Sequence, residues 1–113
     1  MQPDSRKYLY DIQTACRKLE GFTRDRSLED YLANEMLRSA VERQFEIIGE
    51  ALSQLYRIDS DLVASVPDAR RIIAFRNILI HGYATIRHET VWGVVQSDLI
   101  ILTRRIAELL QSP

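Results

Sequence analysis

Cysteine, glycine and proline are scarce in this sequence of 113 residues, which has one, four and three of them respectively. The single cysteine, Cys16, excludes a disulfide within the chain and favours a reducing, cytoplasmic setting. Few glycines and prolines count against a turn-rich β fold. The polar start, MQPDSRKYLYD, lacks the apolar segment of a signal peptide. No apolar run approaches the ~18 residues of a membrane span, so we expect a soluble cytoplasmic protein with no membrane partner.

Acidic residues are missing from one long segment, although the whole chain carries a formal net charge of only −1. Residues 69–88 include no Asp or Glu, yet four arginines and both histidines of the chain fall there. The small net charge counts against broad nucleic-acid binding. Arginine suits forked contacts with phosphate or carboxylate. The segment therefore fits either an anion site or a surface rich in ion pairs, and composition alone favours neither.

Helical periodicity dominates the pattern of apolar residues. Four segments repeat apolar residues at helical spacing, and they run from about 6 to 19, 28 to 56, 68 to 82 and 89 to 110. Ser27 and Asp30 fit a capping box that opens the second segment. We expect Gly21 to end the first helix and Pro67 to open the third, with a short helical piece at residues 62–66 before it. No stretch alternates with a period of two. The sequence thus predicts one all-α domain over residues 1–113, folded as an antiparallel bundle of four to five helices.

The long second segment has a polar stripe that includes small residues. Glu46, Gly49 and Ser53 lie on this stripe, opposite the broad apolar face. Most such stripes are solvated. Small residues also leave room for the close approach of another helix, so the stripe is a candidate contact surface.

Arg76 is the most unusual residue of the third segment. On a helical wheel, four apolar residues lie within about 60° of it, namely Ile72, Ile73, Leu79 and Ile80. A charged guanidinium cannot remain unpaired on an apolar face. Either Arg76 pairs with an acid of the bundle, for which Glu42, Glu46 and Glu50 are candidates, or the face is an interface or cleft that receives an anion.

A second polar stripe lies beside Arg76. Arg70, Asn77 and His81 are spaced i, i+7 and i+11, which places them within about 40° of one another on a helix. Taken singly, each has an ordinary structural explanation: an ion pair, a hydrogen bond to a neighbouring backbone, a structural histidine. Their presence together in a segment without acids makes them candidate site residues.

The stretch RNILIHGY, residues 76–83, resembles the Arg-x4-His-x-Tyr signature of the HepT toxins, a branch of the HEPN superfamily. The resemblance extends over most of the chain, from about residue 30 to the end. VERQFEIIGEA at residues 41–51 is similar to the family's long-helix segment. Val91-Trp92 followed by Asp98-Leu99 is similar to its last helix. All signature positions are filled.

The resemblance implies a HEPN-like bundle that forms a homodimer, with the two signature helices facing a shared cleft. It implies a metal-independent endoribonuclease toxin of a type II toxin–antitoxin system, without a cofactor. It also implies a partner, an MntA-type nucleotidyltransferase antitoxin, which neutralises the toxin by transferring AMP to the signature tyrosine, Tyr83.

The chemistry of RNA cleavage gives these residues roles. Attack by the RNA's own 2′-hydroxyl needs a base, an acid and a cation for the crowded phosphate. His81 and its mate in a dimer would divide the base and acid roles, and Arg76 would stabilise the developing charge. Asn77 and Arg70 would orient the histidine or hold phosphate. Two histidines and one cysteine without paired acids do not build a zinc or two-metal site, and we expect His88 to lie in a loop, facing solvent or capping a helix.

Two other classes of function remain open. The chain could be a non-catalytic HEPN helical module that uses the same basic cleft to bind a nucleotidyltransferase partner or a nucleotide. It could also be a DNA-binding repressor, but the helix richest in arginine is too apolar for a DNA groove.

Overall fold

Residues 1–82 and 86–112 are described by the computed structural model, and within them the chain forms helices without any strand. The six helices of this part of the chain are α1 (Pro3–Thr23), α2 (Leu28–Ala33), α3 (Glu35–Ile58), α4 (Ser60–Ala64), α5 (Ala69–His81) and α6 (His88–Gln111). The predicted all-α bundle is confirmed. Four of the helices are long, and α2 and α4 have six and five residues. Across these described ranges no helix is long and apolar enough to cross a membrane.

Helix α1 ends later than the sequence indicated. The prediction that Gly21 would end it was wrong, because the helix runs through this exposed glycine to Thr23. The Thr23 hydroxyl donates a hydrogen bond of 2.7 Å to the carbonyl of Leu19 within the last turn. The left-handed backbone that accompanies many helix ends falls instead at Asp25, where φ is 59°.

The predicted helix over residues 28–56 is two helices that meet at Asn34. The capping box at the start of α2 is confirmed, with reciprocal hydrogen bonds between Ser27 and Asp30. Asn34 has φ −125° and ψ 100°, an extended backbone that ends α2. Its side-chain oxygen accepts a 3.0 Å hydrogen bond from the backbone N–H of Leu37 and so caps α3. The apolar periodicity continues across the break, which is why the pattern alone predicted one helix.

The start of α5 also differs from the prediction. Pro67 does not open this helix, which begins at Ala69 after Asp68, a residue with φ 58°. The short helical piece before it is confirmed as α4, shifted about two residues towards the N-terminus. Asp59 separates α3 from α4, and its carboxylate accepts a hydrogen bond of 3.2 Å from the backbone N–H of Leu62.

The core lies between α1, α3 and α6, with α3 at its centre. Helix α3 packs on α1 and α5, and α1 also packs on α6. The side chains that fill the core are those of the predicted apolar stripes, among them Leu9, Ile12, Leu19, Phe45, Ile48, Leu52, Leu55, Leu102 and Ile106. Their burial supplies the main driving force for the fold.

Helix α5 lies antiparallel to α3, and we call the line of contact between the two helices the seam. Arg76 contacts Gly49, and further along the seam Ile73 shares a cavity with Ser53. Residues later in α3 therefore lie beside residues earlier in α5, as in an antiparallel pair. A Cβ atom at Gly49 would clash with the Cβ of Arg76 and lie 2.7 Å from its Cγ. The predicted close approach to the small residues of the α3 stripe is confirmed at Gly49, and the neighbour is α5 of the same chain.

Candidate active site

Arg76 is held by an acid of the bundle, as one of the two sequence-based alternatives predicted. Its Nη2 lies 2.7 Å from Oε2 of Glu50 on α3. Its Nη1 donates a 2.9 Å hydrogen bond to Oδ1 of Asn77. The side chain is 24% exposed, so the guanidinium reaches the surface while its stem packs against Gly49. Buried Nε has no hydrogen-bond partner among the described residues.

A small cavity of about 220 Å³ opens beside Arg76, where α1, α3 and α5 meet. Three carboxylates and two guanidinium groups line it, and they belong to Asp11, Glu46, Glu50, Arg43 and Arg76. By formal charge the cavity is therefore slightly negative. An anion that reaches Arg76 has to compete with Glu50 for the guanidinium.

The second polar stripe of α5 is exposed along its whole length. Arg70, Asn77 and His81 all lie within the helix, and each of them is exposed to solvent. His81 is the last residue of α5, and the turn after it is made by Gly82, whose φ of 65° lies in the left-handed region that glycine adopts at no steric cost. Arg76 and His81 are separated by five residues, or about 7.5 Å along the helix axis. The helix thus presents an arginine, an amide and an imidazole near one end.

Two other sequence predictions concern Tyr83 and His88. Tyr83 lies outside the described residues. His88 begins α6 rather than standing in a loop, and it is exposed. Its ring meets the buried ring of Tyr31 edge-on, with 6.4 Å between the centroids. His88 is therefore part of the contact between α2 and α6.

Glu50 and Asp98 are acids whose arginine partners the sequence did not determine. Glu50 was one of three candidate partners for Arg76. Asp98 is buried on α6, where it pairs with Arg71 at 3.1 Å and accepts a 2.9 Å hydrogen bond from Ser97. The arginines at 71 and 76 thus point to different helices, α6 and α3. Neither pairing could be found without the packing of the helices.

An apolar groove of about 450 Å³ lies between α5 and α6. Ile72, Phe75 and Ile78 line it from α5, and the Arg71–Asp98 pair lies at its edge. In the described part of the chain, α5 packs mainly on α3 and has little contact with α6. Among the residues that the structure describes, the groove therefore separates this side of α5 from α6.

Other reactive groups lie away from α5. Cys16 is buried in the core, and burial raises the pKa of its thiol to about 11, so the thiolate is disfavoured. Burial also raises the pKa of the Tyr31 hydroxyl above its usual range. Over residues 1–82 and 86–112, no group of three or more His, Cys, Asp or Glu side chains could hold a metal ion.

The comparison with protein families adds a finding to this geometry. The model of the HepT-like ribonuclease family matches residues 12–109, which include α3, α5 and most of α6. The chain belongs to the HepT-like family. The predicted resemblance is therefore confirmed at the level of the family.

Several relatives of this HepT-like chain carry ribonuclease names. A candidate RNase from Methanocaldococcus jannaschii is 35% identical over 98 residues, which cover 85% of this chain and 87% of the relative. A probable ribonuclease HepT from Thermococcus cleftensis is 32% identical over 109 residues, covering 96% and 98%. A candidate RNase from Caldanaerobacter subterraneus subsp. tengcongensis is 30% identical over 106 residues, covering 94% of each chain. No solved structure matches the chain.

Proposed function

We propose that this HepT-like chain is a metal-independent endoribonuclease toxin of a type II toxin–antitoxin system that acts in the cytoplasm. Membership of the family and the names of the relatives support RNA as the substrate. The observation that carries the proposal is that the C-terminal half of α5 presents Arg76, Asn77 and His81, with Asn77 hydrogen-bonded to Arg76 and with Asn77 and His81 exposed. An imidazole can act as the base or the acid, and a guanidinium can stabilise the charge of the phosphorane, which are the roles that phosphodiester transesterification requires.

The proposed reaction is attack of a ribose 2′-oxygen on the adjacent phosphorus. A bond forms between phosphorus and O2′, the bond to the leaving O5′ breaks, and the product is a 2′,3′-cyclic phosphate. One imidazole takes the proton from the 2′-hydroxyl, and a second gives a proton to O5′. One chain supplies one signature histidine, His81, so the mechanism requires a homodimer that brings two copies together. Arg76 of each copy neutralises charge on the phosphorane.

Glu50 has a defined part in this proposal. Its ion pair holds the guanidinium of Arg76 at the surface of the seam between α3 and α5. Arginine has five N–H donors, so one guanidinium can keep a carboxylate contact while it also donates to phosphate. Asn77 adds a second anchor through its side-chain oxygen. The guanidinium of Arg76 is therefore held in place before an anion binds, although the anion has to compete with the carboxylate of Glu50 for it.

An RNA with one changed nucleotide tests the chemical step. A 2′-deoxy nucleotide at the cut position removes the nucleophile, and we expect cleavage there to stop while cleavage of the all-ribose oligonucleotide yields a 2′,3′-cyclic phosphate. Cleavage that continues at the deoxy position would rule out attack by the 2′-hydroxyl.

Neutralisation is proposed to occur by transfer of AMP to Tyr83 from an MntA-type nucleotidyltransferase antitoxin. Tyr83 follows His81 by two residues in the sequence. An adenylate there would bring a bulky anion close to the arginines of α5 and compete with RNA for them. Mass spectrometry after co-expression with such an enzyme is expected to show AMP on Tyr83. A neutralised but unmodified chain would contradict this route.

A non-catalytic module is the second candidate function, and the charge around Arg76 favours the form of it that binds a protein partner. Glu50 already neutralises the guanidinium, and three carboxylates line the cavity beside it. Under this alternative, α5 binds a nucleotidyltransferase partner or a nucleotide without reaction. Binding of intact RNA or nucleotide with no cleavage product would support this alternative over the ribonuclease.

A further inference from the structure

The seam between α3 and α5 continues beyond Arg76 to a second arginine. Six residues before Arg76, Arg70 lies about 9 Å away along the helix axis. Arg70 meets Tyr56 near the end of α3, and two cavities of about 210 and 320 Å³ are each lined by both residues. The site of the proposed reaction and this tyrosine–arginine pair therefore lie along one continuous seam.

Tyr56 and Arg70 are both available to a ligand. The tyrosine is 44% exposed, which is high for an aromatic side chain in a folded domain, and the arginine is exposed as well. Among the residues that the structure describes, neither side chain has a hydrogen bond or an ion pair. The exposed ring of Tyr56 and the guanidinium of Arg70 therefore supply two planar surfaces next to each other.

These surfaces suit the faces of nucleobases. Single-stranded RNA is commonly bound by stacking its unpaired bases on aromatic rings and on the planes of arginine side chains. Asp68 lines the larger of the two cavities, and its carboxylate would repel a phosphate on that side. A base is therefore a better occupant of this end of the seam than the backbone of the RNA.

We infer that Tyr56 and Arg70 form a stacking subsite for a nucleobase that flanks the scissile phosphate of the RNA substrate. The inference rests on the proposed function, because it assumes that the RNA lies along the seam past Arg76. Stacking tolerates every base, since each has a π face. The subsite therefore contributes affinity and sets the position of the strand, with little discrimination between bases.

Binding of a non-cleavable oligonucleotide tests the subsite without the chemical step. The probe is a single-stranded, 2′-O-methylated RNA, and its dissociation constant is measured for the wild type, Tyr56→Leu and Tyr56→Phe. Leucine removes the aromatic surface and phenylalanine keeps it, so we expect Tyr56→Leu to weaken binding by about fivefold or more and Tyr56→Phe to bind like the wild type. Tyr10, which is 51% exposed on α1, provides the matched control as Tyr10→Leu, with no expected change.

An abasic nucleotide moved along the oligonucleotide identifies the contact. At one position the abasic RNA should bind the wild type and Tyr56→Leu equally, because the stacked base is already missing. The inference is overturned if Tyr56→Leu binds intact RNA as tightly as the wild type. It is also overturned if the binding defect of Tyr56→Leu is the same at every abasic position, which would indicate that the substitution acts through the structure or that Tyr56 belongs to a surface for a protein partner. Arg70→Gln, which replaces the guanidinium with a smaller, uncharged amide, provides a second variant, with weaker binding expected at the same nucleotide.

Cleavage by Arg76→Ala separates this inference from the proposed function. Loss of cleavage in Arg76→Ala together with unchanged RNA binding by Tyr56→Leu would overturn the subsite alone. RNA binding that depends on Tyr56, in a wild-type protein that leaves RNA intact, would keep the stacking of a base of the bound RNA and overturn the ribonuclease.

Discussion

At the scale of single residues, the contact between Gly49 and Arg76 sets how closely α3 and α5 approach. A methyl group at Gly49 would clash with the Cβ of Arg76, an atom close to the backbone that cannot move aside cheaply. We expect Gly49→Ala to lower the free energy of unfolding by about 1–3 kcal/mol, the usual cost of overpacking. Urea unfolding followed by circular dichroism measures the change.

Gly93 on α6 provides the matched control for this prediction. Nothing lies within 4 Å of a Cβ atom at Gly93, and the residue is exposed in the second turn of the helix. Gly93→Ala should therefore stabilise the protein by about 0.5–1 kcal/mol, because alanine restricts the unfolded chain and favours helix. Equal effects of the two substitutions would contradict the close contact at Gly49.

The ion pair of Arg76 leads to a second residue-scale prediction. In Glu50→Gln the guanidinium loses its charged partner while its stem remains packed on α3. We expect the free energy of unfolding to fall by about 1 kcal/mol, since both side chains are partly exposed to water. Glu46→Gln is the control, because Glu46 lines the same cavity and makes no ion pair within the described ranges. A loss of the same size in both variants would argue against a specific Arg76–Glu50 contact.

The sequence predicted what Arg76 needs but not which residue supplies it. A helical wheel gives directions around one helix, and it indicated that a charged group on an apolar face needs either an acid of the bundle or an anion that arrives at an interface or cleft. It does not give the register of one helix against another, so it does not distinguish Glu42, Glu46 and Glu50 as partners of Arg76. The same reason explains why the pairing of Asp98 with Arg71 was not predicted.

At the scale of helices, periodicity predicted the elements better than their ends. The core faces of α1, α3 and α6 follow the predicted apolar stripes. The break at Asn34 was missed because apolar residues continue on both sides of it, and Gly21 was overinterpreted because an exposed glycine is tolerated inside a helix. Helix ends depend on single hydrogen bonds, which a pattern of apolar residues does not report.

The cap at Asn34 can be tested by substitution. Asn34→Ala removes the acceptor for the backbone N–H of Leu37 at the start of α3, and we expect a loss of about 1 kcal/mol in the free energy of unfolding. Gln2 occupies the equivalent position of α1, where its side chain makes no capping hydrogen bond, so Gln2→Ala should be neutral. A neutral Asn34→Ala would show that α3 does not depend on this cap.

At the scale of the whole molecule, the proposed mechanism depends on a homodimer formed through α5. Ile80 is 44% exposed on this helix, one residue before His81. We expect the wild type to sediment as a dimer, and Ile80→Glu to sediment as a monomer because a carboxylate would be buried at the interface. Analytical ultracentrifugation makes the comparison.

Ile101 on α6 serves as the control for the dimer, since it is 48% exposed on a different helix. Ile101→Glu should leave the dimer intact. A monomeric wild type, or a dimer that Ile80→Glu does not disturb, would contradict an interface through α5.

The most direct test of the central claim is RNA cleavage by purified protein in the presence of EDTA. The account predicts that the wild type and an exposed-arginine control, Arg104→Ala, cleave single-stranded RNA without added metal. It predicts that Arg76→Ala and His81→Ala each lower the rate by about 100-fold or more, because each removes a group that acts in the transition state. Undiminished cleavage by both variants, or cleavage that EDTA abolishes, would contradict it.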